Sequence, residues 1–225
     1  VLAEGVIVDN DPLPVLSIVT PDLVLNEAAG VVTYHLVLDG QSDVPVSARV
    51  RTVAGTATAG ADFEPLDTVV TFAPGQTEAF VSVRLLNDNV YEGAETFLLS
   101  LSQPAGLVLG RSVETTTIRD DGLGVGGSDN DLPAITITGG SFSEGAGHAV
   151  FSLHLSNASA AATTYDLALS GLTASPAVDF GSVCQVSLDG GASWVIGSSV
   201  TFAPGFISAL VRVAIVDDLL NEFSE

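Results

Sequence analysis

An internal repeat limits the folds open to this chain more than any other feature of its sequence. The segment TFAPG at residues 71–75 recurs at residues 201–205, and the first two acids of the repeated pattern are 35 residues apart in both copies. The matching acids are Glu27, Asp62, Asp88, Glu92 and Glu95 in the first copy and Glu144, Asp179, Asp218, Glu222 and Glu225 in the second. Because self-similarity at a fixed spacing is the signature of a repeated structural unit, we predict two copies of one domain.

Short strand-like segments lie between these acids. In residues 32–38 apolar and polar side chains alternate, so that Val32, Tyr34, Leu36 and Leu38 share one face of a strand. Turn signals recur about every ten residues, and no window shows the helical period. About seven short strands per copy are typical of a β-sandwich, so we predict an all-β chain.

The repeat also predicts the domain organisation. Residues 12–122 form the first domain and residues 132–225 the second, and the glycine-rich residues 123–131 form a flexible linker. About 13 extra residues in the second copy predict an inserted hairpin at 183–196, which turns at Asp-Gly-Gly. Residues 1–11 resemble the end of the first copy and are predicted to be the last strand of a preceding repeat. The second copy is predicted to lack the equivalents of the last two strands of the first.

The charge of the chain restricts its partners. It has 27 Asp and Glu residues against 6 Arg and Lys, for a formal net charge of −21. Such a chain repels nucleic acid and anionic membranes, and no apolar run is long enough for membrane insertion. It suits cations or basic partners; solubility or a high-salt habitat is the plainer explanation. The single Cys184 allows no internal disulfide.

Patterns of catalytic residues are absent from the sequence. It has no G-x-S-x-G nucleophile motif, and it lacks the Cys and His residues of a zinc site. The acids are clustered, with no obvious apolar wall to raise the pKa of one of them for glycosidic acid catalysis. We therefore predict that the chain is not an enzyme.

Calcium binding explains the repeated acids better. Alternate inter-strand loops of a sandwich gather at one end, so the acids of these loops can meet there. Close carboxylates repel one another unless water or a cation intervenes, and Ca²⁺ takes six to eight oxygen ligands from flexible loops. The alternative is a solvated acidic surface.

These residues resemble the Calx-beta domain, present in tandem. The segments that carry the resemblance are Asn26-Glu27, residues 55–63, residues 71–76, Asn87-Asp88 through Glu92, Glu95-Thr96-Phe97 and residues 118–121. The resemblance implies immunoglobulin-like Greek-key β-sandwiches that bind Ca²⁺ at one tip. The implied ligands are Glu27, Asp62, Asp88, Glu92, Asp120 and Asp121 in the first copy and Glu144, Asp179, Asp217, Asp218 and Glu222 in the second. Asn87 stands where the calcium-sensing members carry Asp.

The resemblance and the acid pattern together predict a function. We expect a non-enzymatic repeat of a long extracellular or cell-surface protein of adhesin type, made rigid by calcium. Tandem copies without lysine are typical of bacterial proteins, so we expect a bacterial source. Its partners would be neighbouring repeats of the same protein. One alternative is an interaction module that binds a protein or a sugar through its sheet or through Trp194. Another is a filament subunit that self-associates by strand complementation.

Overall fold

The computed structural model describes Gly5 and residues 10–218. Most of the predicted strand at 1–11 lies outside these residues, as do Glu222 and the predicted end of the second domain. The described chain consists of eighteen β-strands and two short 3-10 helices, so the predicted all-β sandwich fold is confirmed. Among the described residues, no helix is long and apolar enough to cross a bilayer.

The contacts divide the chain into two compact units. The first unit comprises Val1–Asn87 and Gly93–Asn130, and the second comprises Asp88–Glu92 and Asp131–Glu225. In chain order, the first ten strands are β1 Val15–Ile18, β2 Leu23–Asn26, β3 Val31–Leu38, β4 Val46–Ala54, β5 Asp67–Phe72, β6 Glu78–Arg84, β7 Val90–Tyr91, β8 Ala94–Ala105, β9 Val108–Leu109 and β10 Val113–Arg119, with a 3-10 helix at Glu27–Ala29.

Two sheets build the first unit. One has the strand order β6-β3-β1-β9, and the other has the order β2-β10-β8-β4-β5. In β3, Val32, Tyr34, Leu36 and Leu38 are all buried, as the alternation of the sequence predicts. These four side chains therefore belong to the core between the two sheets. The loops that join the strands lie at the strand ends.

Besides β7, the second unit contains the strands that follow β10. They are β11 Ile135–Thr138, β12 His148–Leu155, β13 Ala158–Ser159, β14 Thr163–Asp166, β15 Phe180–Ser187, β16 Val195–Ile196, β17 Ser199–Phe202 and β18 Ser208–Ile215, with a 3-10 helix at Glu144–Ala146. A five-stranded sheet has the order β11-β12-β18-β15-β16, β14 pairs with β17, and β13 pairs with β7. The core of the second unit is smaller than that of the first, and it includes Leu155, Val200, Phe202 and Val211.

The glycine-rich segment after β10 is hydrogen-bonded to the first unit. Val125 N donates to Val24 O at 3.0 Å, and Asn26 N donates to Val125 O at 3.0 Å. Gly124 has a φ of +102°, and a Cβ at this position would lie 2.6 Å from Asn26 N. The residues predicted as a linker therefore include a stretch that lies against β2. This close approach requires glycine at position 124, because any side chain there would clash with the backbone of β2.

Candidate metal centre

The strand register gathers several acidic loops at one end of the first unit. Asn26, at the end of β2, lies beside Arg119, at the end of β10, and Arg119 lies beside Ala94, at the start of β8. The residues that follow β2 and β10 therefore share this end with the residues that surround the start of β8. We call the acids of these loops the acidic tip; they are Glu27, Asp62, Asp88, Glu92, Glu95, Asp120 and Asp121. Asp88 and Glu92 belong to the short segment between β6 and β8 that the contacts group with the second unit.

Asp62 is held at the acidic tip by the backbone around it. Its Oδ2 accepts a hydrogen bond from Thr58 N at 2.5 Å, and its carbonyl accepts one from Leu86 N at 2.9 Å. The next residue, Phe63, is fully buried and stacks on Phe97 with ring centroids 4.4 Å apart. The aromatic pair anchors the loop in the core, so the buried Asp62 carboxylate has a defined position.

Three carboxylates of the acidic tip lie close enough to share one cation. Asp62, Glu92 and Glu95 each offer an oxygen, and these oxygens lie within 4.8 Å of one another. Asp62 is buried, and the two glutamates are half-buried. Among the described residues this is the one group of three or more potential metal ligands at such distances. The sequence-based ligand set omits Glu95, although its offset from Asp88 recurs in the second copy.

The other predicted ligands of this copy lie around that group of three. The buried Asp120 accepts from Gly93 N at 3.2 and 3.3 Å, which ties the end of β10 to the start of β8. Asp121 pairs with Arg119 at 3.1 Å. Asp88 is exposed, and its Oδ1 accepts from Val90 N at 2.7 Å within its own turn.

Glu27 begins the 3-10 helix beside the acidic tip and is 4% exposed. It follows Asn26, a residue that is fully buried and whose side chain contacts the glycine-rich segment. On the neighbouring loop, Asn87 Nδ2 donates to an oxygen of the Asp129 carboxylate at 2.7 Å. The sequence motifs did not single out Asp129, since it lies in the predicted linker.

The second unit repeats part of this geometry. Asp179 Oδ2 accepts from Ser175 N at 2.5 Å, and its carbonyl accepts from Val216 N at 2.9 Å, as the corresponding atoms of Asp62 do in the first unit. Asp218 N lies 3.5 Å from Glu144 Oε1. Glu144 and Asp217 are exposed, and Glu222 lies outside the described residues. Within the described part, these acids do not form a group of three at metal-binding distances.

Trp194, the predicted interaction residue, lies in the inserted hairpin and is half-buried. Its indole Nε1 donates to Gly191 O at 3.0 Å, and the Arg212 guanidinium carbon lies 4.3 Å from the ring centroid. The ring thus packs within its own unit and anchors the hairpin.

A buried carboxylate lies at the other end of the first unit. The Glu114 side chain has no exposed surface, and its Oε2 lies 2.7 Å from Arg111 Nη2, which also pairs with Asp22 at 3.3 Å. Burial is the main cause that raises the pKa of Glu114 above its usual value. On the same strand, Thr116 hydrogen-bonds the buried Tyr34 hydroxyl, and burial raises the pKa of Tyr34 to about 12. No sequence pattern marks Glu114 as buried, because it lies in a run of β-forming residues.

Comparison with known families supports the resemblance seen in the sequence. The family pattern described as Calx-beta domain matches residues 9–122. The structure is similar to the crystal structure of the apo-form Calx CBD1 domain, with a TM-score of 0.47, 27% identity, and coverage of 49% of this chain and 99% of that chain. It is also similar to CBD12 from CALX1.2, with a TM-score of 0.47, 20% identity, and coverage of 90% and 76% of the two chains.

Curated relatives come from several animals. The chain is 36% identical over 108 residues to Adhesion G-protein coupled receptor V1 of Danio rerio, which is 46% of this chain and 2% of that protein. It is 40% identical over 81 residues to Extracellular matrix protein 3 of Lytechinus variegatus, which is 36% of this chain and 3% of that protein. It is 42% identical over 52 residues to Sodium/calcium exchanger 1 of Canis lupus familiaris, which is 23% of this chain and 5% of that protein.

The chain therefore spans a small fraction of the length of these relatives, and their whole-protein activities do not transfer to it. The family pattern, in contrast, covers just over half of the 225 residues, and the residues it covers include the whole acidic tip. On this evidence, the chain belongs to the Calx-beta domain family.

Proposed function

We propose that the acidic tip binds Ca²⁺ and that the chain is a non-enzymatic structural module of a longer extracellular or cell-surface protein. The observation that carries the proposal is the approach of Asp62, Glu92 and Glu95 to within 4.8 Å of one another. Two oxygens bound to one Ca²⁺ at about 2.3–2.6 Å can be at most about 5 Å apart, so the three oxygens fit on one coordination sphere.

The donor set also favours a hard cation. The three ligand atoms are carboxylate oxygens, which suit Ca²⁺, whereas structural zinc sites use Cys and His. Ca²⁺ takes six to eight oxygens, so further ligands would come from the surrounding acids of the tip, Glu27, Asp88, Asp120 and Asp121. A bound cation would neutralise carboxylates that otherwise repel one another.

Calcium would act here by tying loops together. Asp62 follows β4, Glu92 precedes β8, and Glu95 lies within β8, so one ion would connect chain segments that are distant in sequence. Rigid domains of this kind suit a long repetitive protein, with neighbouring repeats of that protein as the partners. The names of the relatives, an adhesion receptor and an extracellular matrix protein among them, support this location. The tandem arrangement, the bacterial source, the sites of the second copy and self-association by strand complementation stay predictions.

Thermal unfolding in calcium and in chelator tests the proposal. A ligand that binds only the folded state stabilises it by about 2.7 kcal/mol at a hundredfold excess over Kd, which raises the melting temperature by several degrees. Asp62→Asn and Glu95→Gln should remove most of the shift, and both substitutions keep an oxygen that can accept the same hydrogen bonds. Asp43→Asn, an exposed acid beyond the other end of β3, is the matched control and should keep the shift.

Two results would contradict the proposal. One is an equal melting temperature of the wild-type chain in calcium and in chelator, which would leave the acids as a solvated surface. The other is a calcium shift that survives in both tip variants, which would place the bound ion elsewhere.

A further inference from the structure

A groove in the second unit is lined by residues that are not part of the acidic tip. It has a volume of about 530 Å³ and lies between the β15–β16 hairpin and β17. Its lining includes Leu188, Asp189, Val195, Ile196, Thr201 and Phe206. The hairpin is built by the inserted residues of the second copy, so the groove is not a feature of the shared repeat.

The apolar side chains around the groove are unusually exposed. Val195 and Ile196 are each 69% exposed, Phe206 is 56% exposed and Leu188 is 50% exposed. Single exposed apolar residues are normal, but four that line one concave surface are typical of a binding site.

Strand edges border the groove on both sides. Among the described residues, β16 is the outermost strand of its five-stranded sheet, and β17 pairs with β14 on one side of a two-stranded sheet. An outermost strand presents a row of backbone N–H and C=O groups that another chain can pair with. An extended peptide is therefore the shape of ligand that these edges suit, since it can pair with an edge and place alternate side chains in a pocket.

The charge of the groove indicates the sign of the ligand. Of the residues that line it, Asp189 is the one with a charged side chain. Its Oδ1 accepts hydrogen bonds from Ser187 Oγ at 2.7 Å and Ser193 N at 2.9 Å, and its Oδ2 accepts one from Ser193 Oγ at 2.5 Å. These bonds hold the pKa of Asp189 well below its usual range, so the groove keeps one negative charge.

We propose that this groove binds an extended basic segment of another protein. An aliphatic side chain of the segment packs against Val195, Ile196 and Phe206, and a lysine or arginine side chain approaches Asp189. A second copy of this chain is a poorer occupant, because two chains that each carry a net charge of −21 repel each other.

A direct binding measurement on the full 225-residue chain tests the proposal. The probe is a short, end-blocked, fluorescent peptide that alternates lysine and valine, and the control peptide has glutamate in place of lysine. Fluorescence anisotropy should show that the lysine peptide binds at least about tenfold more tightly, by 1.4 kcal/mol or more, and that its affinity falls as salt is raised. Chelator in all solutions keeps the acidic tip free of calcium and makes the result independent of the calcium proposal.

Two variants separate binding in the groove from general attraction to an acidic protein. Ile196→Lys should lower the affinity for the lysine peptide about tenfold or more. Ile137→Lys is the matched control: it makes the same charge change at a side chain that is 63% exposed, in β11 of the same unit, and should bind like the wild type. Both sites are exposed, so both variants should fold, which circular dichroism verifies.

Several results would overturn the proposal. The wild-type chain could bind the two peptides equally, or it could bind neither. The two lysine variants could also lose the same affinity for the lysine peptide. Sedimentation supplies a further one: a dimer of the wild-type chain that Ile196→Lys dissociates would make a second copy the occupant.

Discussion

Replacing Asn26 with alanine should loosen the glycine-rich segment beside the acidic tip. Asn26 is fully buried, and its amide Nδ2 donates to Asp129 O at 2.9 Å and to Leu123 O at 3.4 Å. Its Oδ1 accepts from Ala28 N at 3.1 Å and from Asp129 N at 3.3 Å. One side chain therefore joins the end of β2, the following 3-10 helix and a segment about a hundred residues later in the chain.

These contacts set the size of the effect. A hydrogen bond between neutral groups contributes about 0.5–1.5 kcal/mol net, and a buried group left without its partner costs about 1–3 kcal/mol. With two bonds of ordinary length and two weaker ones lost, the free energy of unfolding should fall by about 2–4 kcal/mol. For a unit of this size, that corresponds to a melting temperature lower by about 10 °C.

Thermal unfolding and hydrogen exchange measure the two consequences. Beyond the lower melting temperature, backbone amides of residues 123–130 should exchange faster, because Val125 and Asp129 lose the anchor of their segment. The matched control is Ser143→Ala. Ser143 caps the corresponding 3-10 helix of the second unit without a side-chain hydrogen bond, so its loss should change stability by less than about 0.5 kcal/mol.

Equal effects of the two substitutions would refute this reasoning, because the difference between them rests on the contacts of one amide. A lower melting temperature of Asn26→Ala with unchanged hydrogen exchange in residues 123–130 would contradict the proposed anchoring of the glycine-rich segment. In that case, the loss would come from the 3-10 helix alone, and the glycine-rich segment would not depend on Asn26.

Two further predictions concern the core of the first unit. Phe97→Ala removes a fully buried ring that stacks on Phe63, and it should lower the free energy of unfolding in urea by about 3–5 kcal/mol; an equal loss in Phe80→Ala, whose ring is 65% exposed, would contradict this. Glu114 has a raised pKa, so its contribution to stability is complete below the unfolded-state value near 4.5 and is lost as pH rises through the higher folded-state value. In urea unfolding at a series of pH values, the free energy of unfolding of Glu114→Gln should therefore fall less above pH 4.5 than that of the wild type. An equal fall in the two proteins would refute the raised pKa of Glu114.

The acidic tip shows how far sequence spacing leads. The repeated offsets identified Asp62 and Glu92 as candidate ligands, and both belong to the group that the structure brings within 4.8 Å. Glu95 has the same repeated offset, but it lies in strand β8, and a residue inside a strand gives no sequence signal of pointing toward a loop. The pairing of Glu95 with Ile118 at the end of β10 places it at the tip, and that pairing is a long-range contact.

The sequence by itself determined the class of the fold and the faces of its strands. Alternation over residues 32–38 is a local property with a period of two, and it alone decides that Tyr34 and Leu36 point into the core. Only the tertiary structure decided what the glycine-rich segment does and which acids meet. The Asn26 side chain reaches Asp129 across 103 residues of sequence, and a hydrogen bond over that separation depends on strand register. Local periodicity carries no information about register between distant strands, so these contacts appear only once the chain has folded.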